Sequence, residues 1–382
     1  MNRTFKVMVS PVSTQVFPVV VTALTIRPER VVLLTTPKVE IFTKLIKRAL
    51  LFAGIEVEER NINPYSFNSI KEKTKDLQNP FLLLNCGTKF TAIALFRLFG
   101  EENAYYYTPE GKIIDFNSNL LEKVSQKLVD VELHSQMYGF EIVEERQDHE
   151  KIRMREKLTR YIASKPSLLP VLTKLYLKGS ARILPNEFAG LAKKFEVVVY
   201  RGGKYVVLDR EYIGGKWLEE FTFLELLKKN FYDVRIGVKV EWYEKGVINE
   251  IDVMATKHNQ LHIFSCKTGK NVKEIAKHLY ELEELTERIG GDFGKSFLVI
   301  TENIYVKSPP RREDFPNAPS VPYKVAPSTW NEYYKTEEGQ RFKKLFRIYN
   351  SFKYLHKRAS LLGIEILTPE ILKRNLGGRS GA

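Results

Sequence analysis

A chain of 382 residues, 43% apolar and 28% charged, is too long for one ordinary core and too apolar to be disordered or fibrous, so two or three globular domains are expected. Its 60 Lys and Arg against 46 Asp and Glu give a net charge of +14. An enzyme for small neutral substrates has no need of that excess, whereas a protein that meets phosphodiester backbones does. The 2 cysteines, Cys86 and Cys266, exclude a disulfide framework and a cysteine-built zinc site. There is no signal-peptide pattern. The longest apolar run near the start, Val16–Ile26, holds Pro18 and Thr22 and is too short to span a bilayer, so a soluble, cytoplasmic protein without a membrane partner is expected.

In chain order, Phe5–Val9 reads as a short strand, followed by the turn-prone Ser10-Pro11-Val12-Ser13-Thr14 and a helix from about Gln15. Val31–Leu34 is a buried strand, ending in Thr35-Thr36-Pro37 before an amphipathic helix over Val39–Phe52, which Gly54 closes. A strand over Ile55–Arg60 follows, then Phe81–Leu84, the turn Asn85-Cys86-Gly87-Thr88-Lys89, a helix over Phe90–Phe99 and a strand over Tyr105–Tyr107. Strand, turn and helix in alternation predict a Rossmann-like parallel sheet with helices on both faces and ligands at the carboxyl ends of its strands.

Residues 149–210 change character. Three helical patterns, about 151–163, 167–178 and 186–194, precede strands Glu196–Tyr200 and Tyr205–Leu208 joined at Gly202-Gly203, which predicts a small winged-helix-like linker or a plain helical one. This stretch is basic, with 13 Lys and Arg against 4 Asp and Glu over 150–205. Gly214-Gly215 opens the last half: a helix over Lys216–Lys229, strands Val234–Trp242, Val247–Met254 and Leu261–Cys266, a helix over Val272–Ile289 and a strand over Ser296–Ile300. The proline-rich 308–327 reads as an irregular loop, Glu338–Leu362 as a basic helix and Gly363–Leu367 as a closing strand. Residues 340–382 carry 10 Lys and Arg against 2 Asp and Glu, and 375–382 read as a flexible tail. The expected division is 1–148, 149–210 and 211–374, followed by that tail.

The chemistry of the last half lies in Asn249-Glu250-Ile251-Asp252-Val253-Met254 and Leu261-His262-Ile263-Phe264-Ser265-Cys266-Lys267, made a hairpin by the turn at Lys257–Gln260. Alternation puts Glu250 and Asp252 on one face and likewise pairs Ser265 with Lys267. Carboxylates can hold a hard divalent cation, Mg2+ or Mn2+, that polarises a phosphodiester, while a lysine orients water or offsets developing charge. His258 and His262 have no second histidine at metal spacing and read as surface or supporting residues. An acid, 12 intervening residues and Ser-x-Lys resemble the PD-(D/E)xK nuclease superfamily, with Ser265 where a second acid is usual.

Gly-Gly-Lys-Trp-Leu-Glu, Asn-Glu-Ile-Asp-Val, Ile-Phe-Ser-Cys-Lys-Thr-Gly and Ile-Gly-Gly-Asp-Phe-Gly-Lys occur in that order. Together they resemble one branch of that superfamily: the ancillary nucleases of type III CRISPR systems, in which a CARF domain precedes a PD-(D/E)xK domain. The Ser-Cys-Lys form is usual in that branch. The resemblance implies a metal held by Asp252, the Cys266 carbonyl and a helix glutamate. The family's Trp-Leu-Glu favours Glu219 for that role, while helical spacing places Glu220 in the apolar arc of Trp217, Phe221 and Leu224, so both are candidates. Lys267, Asp252, Glu219, Glu220 and Glu250 form the catalytic set.

Leu83-Leu84-Asn85-Cys86-Gly87-Thr88-Lys89 resembles the CARF signature Asn-x-Thr-Gly-Gly-Thr-Lys at Gly87, Thr88 and Lys89 and departs from it at Leu83, Asn85 and Cys86. A small residue lets backbone approach closely, a hydroxyl and an ammonium bind phosphate, and the next helix offers free N–H groups. Ser10, Ser13, Thr14 and Gln15 supply a second hydroxyl-rich helix start, and Thr35 ends the neighbouring strand. With Asn85, Cys86, Gly87, Thr88 and Lys89 they form the ligand-binding set. The resemblance implies a homodimer that binds a cyclic oligoadenylate, cyclic tetra-adenylate favoured, and then cuts DNA, RNA or both. The alternatives are a ligand-controlled DNA-binding regulator with a degenerate nuclease domain, and an unregulated resolvase or restriction-type enzyme.

Overall fold

The computed structural model describes residues 5–119, 121–242, 246–269 and 271–374. The tail at 375–382 lies outside the described residues. Strands and helices alternate at first: β1 (Val7–Pro11), α1 (Phe17–Ile26), β2 (Arg30–Thr35), α2 (Glu40–Phe52), β3 (Glu56–Asn61), α3 (Phe67–Thr74), β4 (Phe81–Leu83), α4 (Lys89–Phe99) and β5 (Ala104–Tyr107). Then come β6 (Lys112–Asp115), β7 (Leu121–Lys123), α5 (Val131–Tyr138) and β8 (Phe140–Glu144). The first sheet has the order β3-β2-β1-β4-β5-β6-β7, parallel through β5 and antiparallel beyond.

The sheet is covered on both faces because the middles of its central strands are apolar on both sides. Successive residues feed opposite cores: Val31 and Leu33 pack with Phe17, Val20 and Phe81, while Val32 and Leu34 pack with Ile70, Leu82 and Leu95. Helix α1 is buried from Phe17 through Leu24, as a helix apolar on all sides must be. Left-handed Arg27, followed by Pro28, ends it.

Next are α6 (His149–Met154), α7 (Glu156–Ser164), α8 (Leu169–Lys178), β9 (Ser180–Ala181), α9 (Asn186–Lys194), β10 (Val198–Arg201) and β11 (Lys204–Val207). The strands form a sheet of order β10-β11-β9, and its hairpin turns on Gly202 and Gly203, both at positive φ. This is the winged-helix arrangement.

The remaining elements are α10 (Trp217–Leu226), β12 (Tyr232–Trp242), β13 (Ile248–Lys257), β14 (Gln260–Lys267), α11 (Val272–Gly290), β15 (Lys295–Ile300), α12 (Pro327–Tyr333), α13 (Glu337–Leu361), β16 (Glu365–Leu367) and α14 (Pro369–Arg374). The proline-rich stretch is irregular apart from one short turn at Arg312–Asp314, yet Phe315 within it packs edge-on against Phe342, in a satellite core with Trp330 and Tyr333. Among the described residues, no helix is long and apolar enough to cross a membrane.

The chain condenses into two compact units that cut across the linear division expected from the sequence. One takes the chain up to Glu145 together with Asn230–Ile263 and Leu285–Lys295; the other takes Arg146–Lys229, Phe264–Glu284 and the chain from Ser296 onward. The first unit recruits later strands because β8 offers an open edge: Phe140 to Glu144 pair antiparallel with Trp242 to Lys239 of β12, and Lys239 Nζ reaches Glu144 Oε2 at 2.6 Å. Strand β13 follows β12 antiparallel, and the start of β14 adjoins β13. In the second unit the end of β14 adjoins β15, with Phe264 stacked on Phe297 at 4.7 Å, and β15 pairs parallel with β16.

Candidate functional site

The strand order reverses between β1 and β4, because from β1 the chain winds out to β3 and then returns to β4 on β1's other side. Ligands of open α/β sheets bind at the carboxyl ends of the strands flanking such a point. The two loops singled out in the sequence, Ser10–Gln15 after β1 and Asn85–Lys89 after β4, are the ones found there.

Their contacts divide the residues into those that build the loops and those left exposed. Gly87 has φ +79°, and a Cβ on it would lie 2.5 Å from the Pro11 Cβ, so only glycine lets the two loops meet this closely. Asn85 donates to the Tyr107 carbonyl (2.7 Å) and accepts from the Tyr107 N–H (2.6 Å), holding its loop to the end of β5. Thr88 caps α4 by accepting from the Thr91 N–H at 3.1 Å and donates to the Pro64 carbonyl at 3.2 Å. Cys86 is buried with its Sγ 3.5 Å from the Gln15 carbonyl, and burial pushes its thiol up to about 11. Ser10 is buried and bonded to the Pro11 carbonyl, and Thr35 shares a 2.6 Å hydroxyl contact with Thr43. Ser13 accepts from the Gln15 N–H at 3.2 Å. The exposed members are Thr14, Gly87 and Lys89, and Lys89, first residue of α4, has no ion-pair partner among the described residues.

In the first unit, β13 presents Glu250 and Asp252 from one face, with Glu250 exposed and opposite Lys239 of β12, and Asp252 half-buried. Ile251 and Val253, between and beyond them, are buried. In the second unit, the end of β14 lies against the start of α10. Thr268 Oγ1 donates to the Gly214 carbonyl at 3.1 Å, and a Cβ on Gly215 would come within 3.3 Å of that oxygen. Cys266 Sγ is 3.5 Å from Thr222 Oγ1 on α10, so Ser265 and Lys267, one residue to either side, point to the other face of β14. Glu219 is half-buried in the first turn of α10.

Glu220 is occupied elsewhere. Its carboxylate, wholly buried, accepts from Arg155 Nε at 2.8 Å and from the Nη2 atoms of Arg155 and Arg146. Arg155 also bonds Asp209 at 2.7 Å and stacks over the Tyr212 ring at 4.1 Å. Against the desolvation that opposes it, the Glu220 and Asp209 carboxylates hold the Arg155 guanidinium above its usual range. This clasp was not read from the sequence. The signal for it was a carboxylate in an apolar helical arc, since a buried charge must find partners. Removing Glu220 takes the shared buried carboxylate from Arg155 and Arg146 and leaves them only Asp209 and Asp148, so Glu220→Ala is expected to cost about 3 kcal/mol, visible in urea unfolding. Glu219→Ala, at a half-buried position, should cost clearly less than Glu220→Ala in the same assay.

Among the described residues, no group of three or more His, Cys, Asp or Glu side chains is arranged to hold a metal ion. The donors expected from the sequence are the Asp252 carboxylate in the first unit and, in the second, the Glu219 carboxylate and the Cys266 carbonyl. These are hard oxygen donors of the kind Mg2+ and Mn2+ take, and Mg2+ commonly needs only one or two carboxylates, water completing its shell. The donor chemistry fits.

The chain carries a largely parallel α/β sheet, a small three-stranded sheet behind three helices, and a mixed six-stranded sheet. Residues 208–309 match the family model of the Card1-like endonuclease domain. The whole fold is similar to that of Can2 from Sulfobacillus thermosulfidooxidans, solved in complex with cyclic tetra-adenylate, at 18% identity over 97% of this chain and 96% of that one, with a TM-score of 0.70. It is also similar to protein VC1899 from Vibrio cholerae, at 17% identity over 96% and 95% of the two chains, TM-score 0.69. A type III CRISPR defence DNA nuclease activated by cyclic oligoadenylate matches over 78% of this chain and 46% of its own, at 17% identity and a TM-score of 0.53. No curated protein matches the sequence. Residues 208–309 thus match a Card1-like endonuclease domain within a chain whose overall fold is shared with Can2.

Proposed function

We propose that this protein is a metal-dependent endonuclease switched on by a cyclic oligoadenylate, cyclic tetra-adenylate favoured, and that it cuts DNA, RNA or both in type III CRISPR defence as a homodimer. The observation that carries this reading is a signature turn, Gly87–Lys89, at the switch point of a CARF-type sheet on the same chain as a Card1-like endonuclease domain. Can2, whose fold this chain shares, was solved with cyclic tetra-adenylate bound, which supports that activator class.

The anionic ring would meet the exposed Lys89 ammonium and the free N–H groups at the start of α4, with Thr14 and Ser13 on the facing loop. For cleavage, Asp252, Glu219 and the Cys266 carbonyl would hold Mg2+ or Mn2+, which supplies polarisation of the phosphodiester and a more acidic water. Lys267 would orient an attacking water and offset the negative charge that builds as a new P–O bond forms and the ester P–O bond breaks. Ser265 adds a hydroxyl on the same strand face. Glu250, exposed one turn of the pleat away, can relay a proton to solvent. Glu220, committed to the arginine clasp, holds α10 in place rather than touching substrate. The test is cleavage of supercoiled plasmid and of single-stranded RNA with Mn2+, with and without each cyclic oligoadenylate. Activator-independent cutting would favour the restriction-type alternative. No cutting at all, with ligand-dependent DNA binding, would favour a regulator working through the winged helix, whose hairpin tip carries exposed Arg201 and Lys204.

Helix α13 gives the substrate a place to lie. From Gly339 to Leu361 it has seven Lys and Arg and no Asp or Glu, and Lys343, Arg347, Lys353 and Lys357 recur along one exposed face with Phe346 and Tyr354 among them. In a cleavage-dead background, substrate affinity should fall linearly with log salt. Reversing Lys343, Arg347 and Lys357 together should shallow that slope by about 2–3. An unchanged slope would make these charges mere solvation.

A further inference from the structure

The first unit contains a direct tie between the CARF-type sheet and the nuclease hairpin. The β13–β14 hairpin turns on His258 and Asn259, at φ 53° and 66°, two consecutive left-handed residues that suit a two-residue turn. An exposed turn asks only for a small polar residue there. Asn259 is instead 2% exposed, and its side-chain amide is fully engaged by the segment that leads into α5. Oδ1 accepts from the Leu128 N–H at 2.7 Å and the Val129 N–H at 3.3 Å, and Nδ2 donates to the Ser125 carbonyl at 2.7 Å; the Tyr232 hydroxyl, which donates to the Val129 carbonyl at 2.8 Å, lies 3.2 Å from Oδ1. The Asn259 carbonyl accepts from His134 Nε2 at 3.0 Å.

His134 is completely buried on α5, and burial lowers its pKa to about 4, so the ring is neutral and Nε2 carries the proton it donates. One face of that ring stacks near Phe17 (6.3 Å, 22°), and Tyr138 stacks at 6.0 Å. Phe17 opens α1 two residues after Gln15, the last member of the first ligand loop. It also stacks at 4.6 Å on Phe293, beside which Asp292 accepts from Gln15 Nε2 at 3.3 Å. Gly291, at φ +58°, brings this second turn so close to Tyr138 that a Cβ would lie 2.6 Å from the hydroxyl. The loop after β1 is therefore joined by unbroken packing through Phe17 and His134 to the tip of the hairpin that bears Asp252.

We infer that Asn259 is a positioning residue of the nuclease, a latch through which the CARF-type sheet sets the placement of the β13–β14 hairpin and so conveys activator binding to it. This rests on the activator-gated reading above. Counting the backbone carbonyl, Asn259 makes four hydrogen bonds to its surroundings, and rigid packed contacts transmit displacement where a solvated turn would absorb it. Asn259 touches no reacting atom; it acts on the strand that holds Asp252, seven residues away in sequence.

The test compares wild type with Asn259→Gly, which keeps the left-handed turn and removes the amide, and with Tyr232→Phe, which deletes one hydroxyl and preserves packing. Each is titrated with cyclic tetra-adenylate by calorimetry and assayed for plasmid cutting with and without it, at a temperature where all remain folded by circular dichroism. The latch predicts that the ratio of activated to basal cutting falls about ten-fold or more in Asn259→Gly and less in Tyr232→Phe, with activator still bound. A purely structural asparagine would lower the melting temperature and both rates together, leaving the ratio at the wild-type value, and that result overturns the latch. Should Asn259→Gly fail to fold, an unchanged ratio in Tyr232→Phe together with His134→Gln overturns it equally. A wild type that cuts but ignores every cyclic oligoadenylate would overturn the activator reading itself, and the latch with it.

Discussion

Asp252→Ala is expected to abolish cleavage, and Lys267→Ala to lower it about 100- to 1,000-fold, the loss typical of removing one preorganised electrostatic contact to a developing charge. The two effects have different origins. Asp252 offers a carboxylate, the strongest hard donor in the set, on the same face of β13 as Glu250 and with buried Ile251 and Val253 fixing the strand behind it. Lys267 ends β14, where Cys266 facing Thr222 of α10 fixes which way the neighbouring side chains turn. Neither variant touches the buried clasp around Glu220, so both should unfold near the wild-type midpoint. EDTA should stop the wild-type enzyme and excess Mn2+ restore it, while no amount of Mn2+ should rescue Asp252→Ala fully. Wild-type turnover by either variant would remove that residue from the mechanism.

Lys89→Glu should raise the concentration of cyclic tetra-adenylate needed for half-maximal activation about 10- to 100-fold, the equivalent of one charge-assisted hydrogen bond of about 1.5–3 kcal/mol. An activator works only through its different affinities for two states, so the deficit should appear in binding by calorimetry and in the midpoint of plasmid nicking alike. Linkage is reciprocal: in wild type, bound substrate should tighten activator binding by the factor by which activator tightens substrate binding. Equal affinity and equal activation in the variant would reduce the Gly87–Lys89 turn to an ordinary strand–helix junction.

Much of the fold was legible because its signals are local. The apolar runs of β1, β2 and β4, the Gly-Gly hairpin of the winged helix and the period-two pattern around Asp252 each declare themselves within a few residues. Segments with weak periodicity were missed: α3, α5 and α14, at 8, 8 and 6 residues, are too short to show a helical face, and β6, β7 and β8 are strands of only 4, 3 and 5 residues. Long-range pairing was the larger gap. Nothing in Phe140–Glu144 names Lys239–Trp242 as its partner, and Arg155 gave no sign of lying against Glu220. At the strand ends the expected residues lie together, but their duties are mixed. Asn85 and Thr88 build the loop, which a sequence pattern cannot tell from contacting a ligand, since both uses call for small polar side chains. Asn259 hid for the same reason, an asparagine in a turn being the most ordinary of residues.

Because each compact unit is assembled from separated stretches of chain, synthesis and folding cannot proceed in step. The first unit needs strands β12 and β13 and the turn near Asp292, so it stays incomplete from the emergence of Glu145 until Lys295 has left the ribosome. At about 5–20 residues per second that is a wait on the order of ten to thirty seconds, with the edge of β8 open until β12 emerges. A fragment ending near residue 148 would carry that open edge permanently and should pair with copies of itself or precipitate, so the two activities cannot be obtained by simply cutting the gene in two.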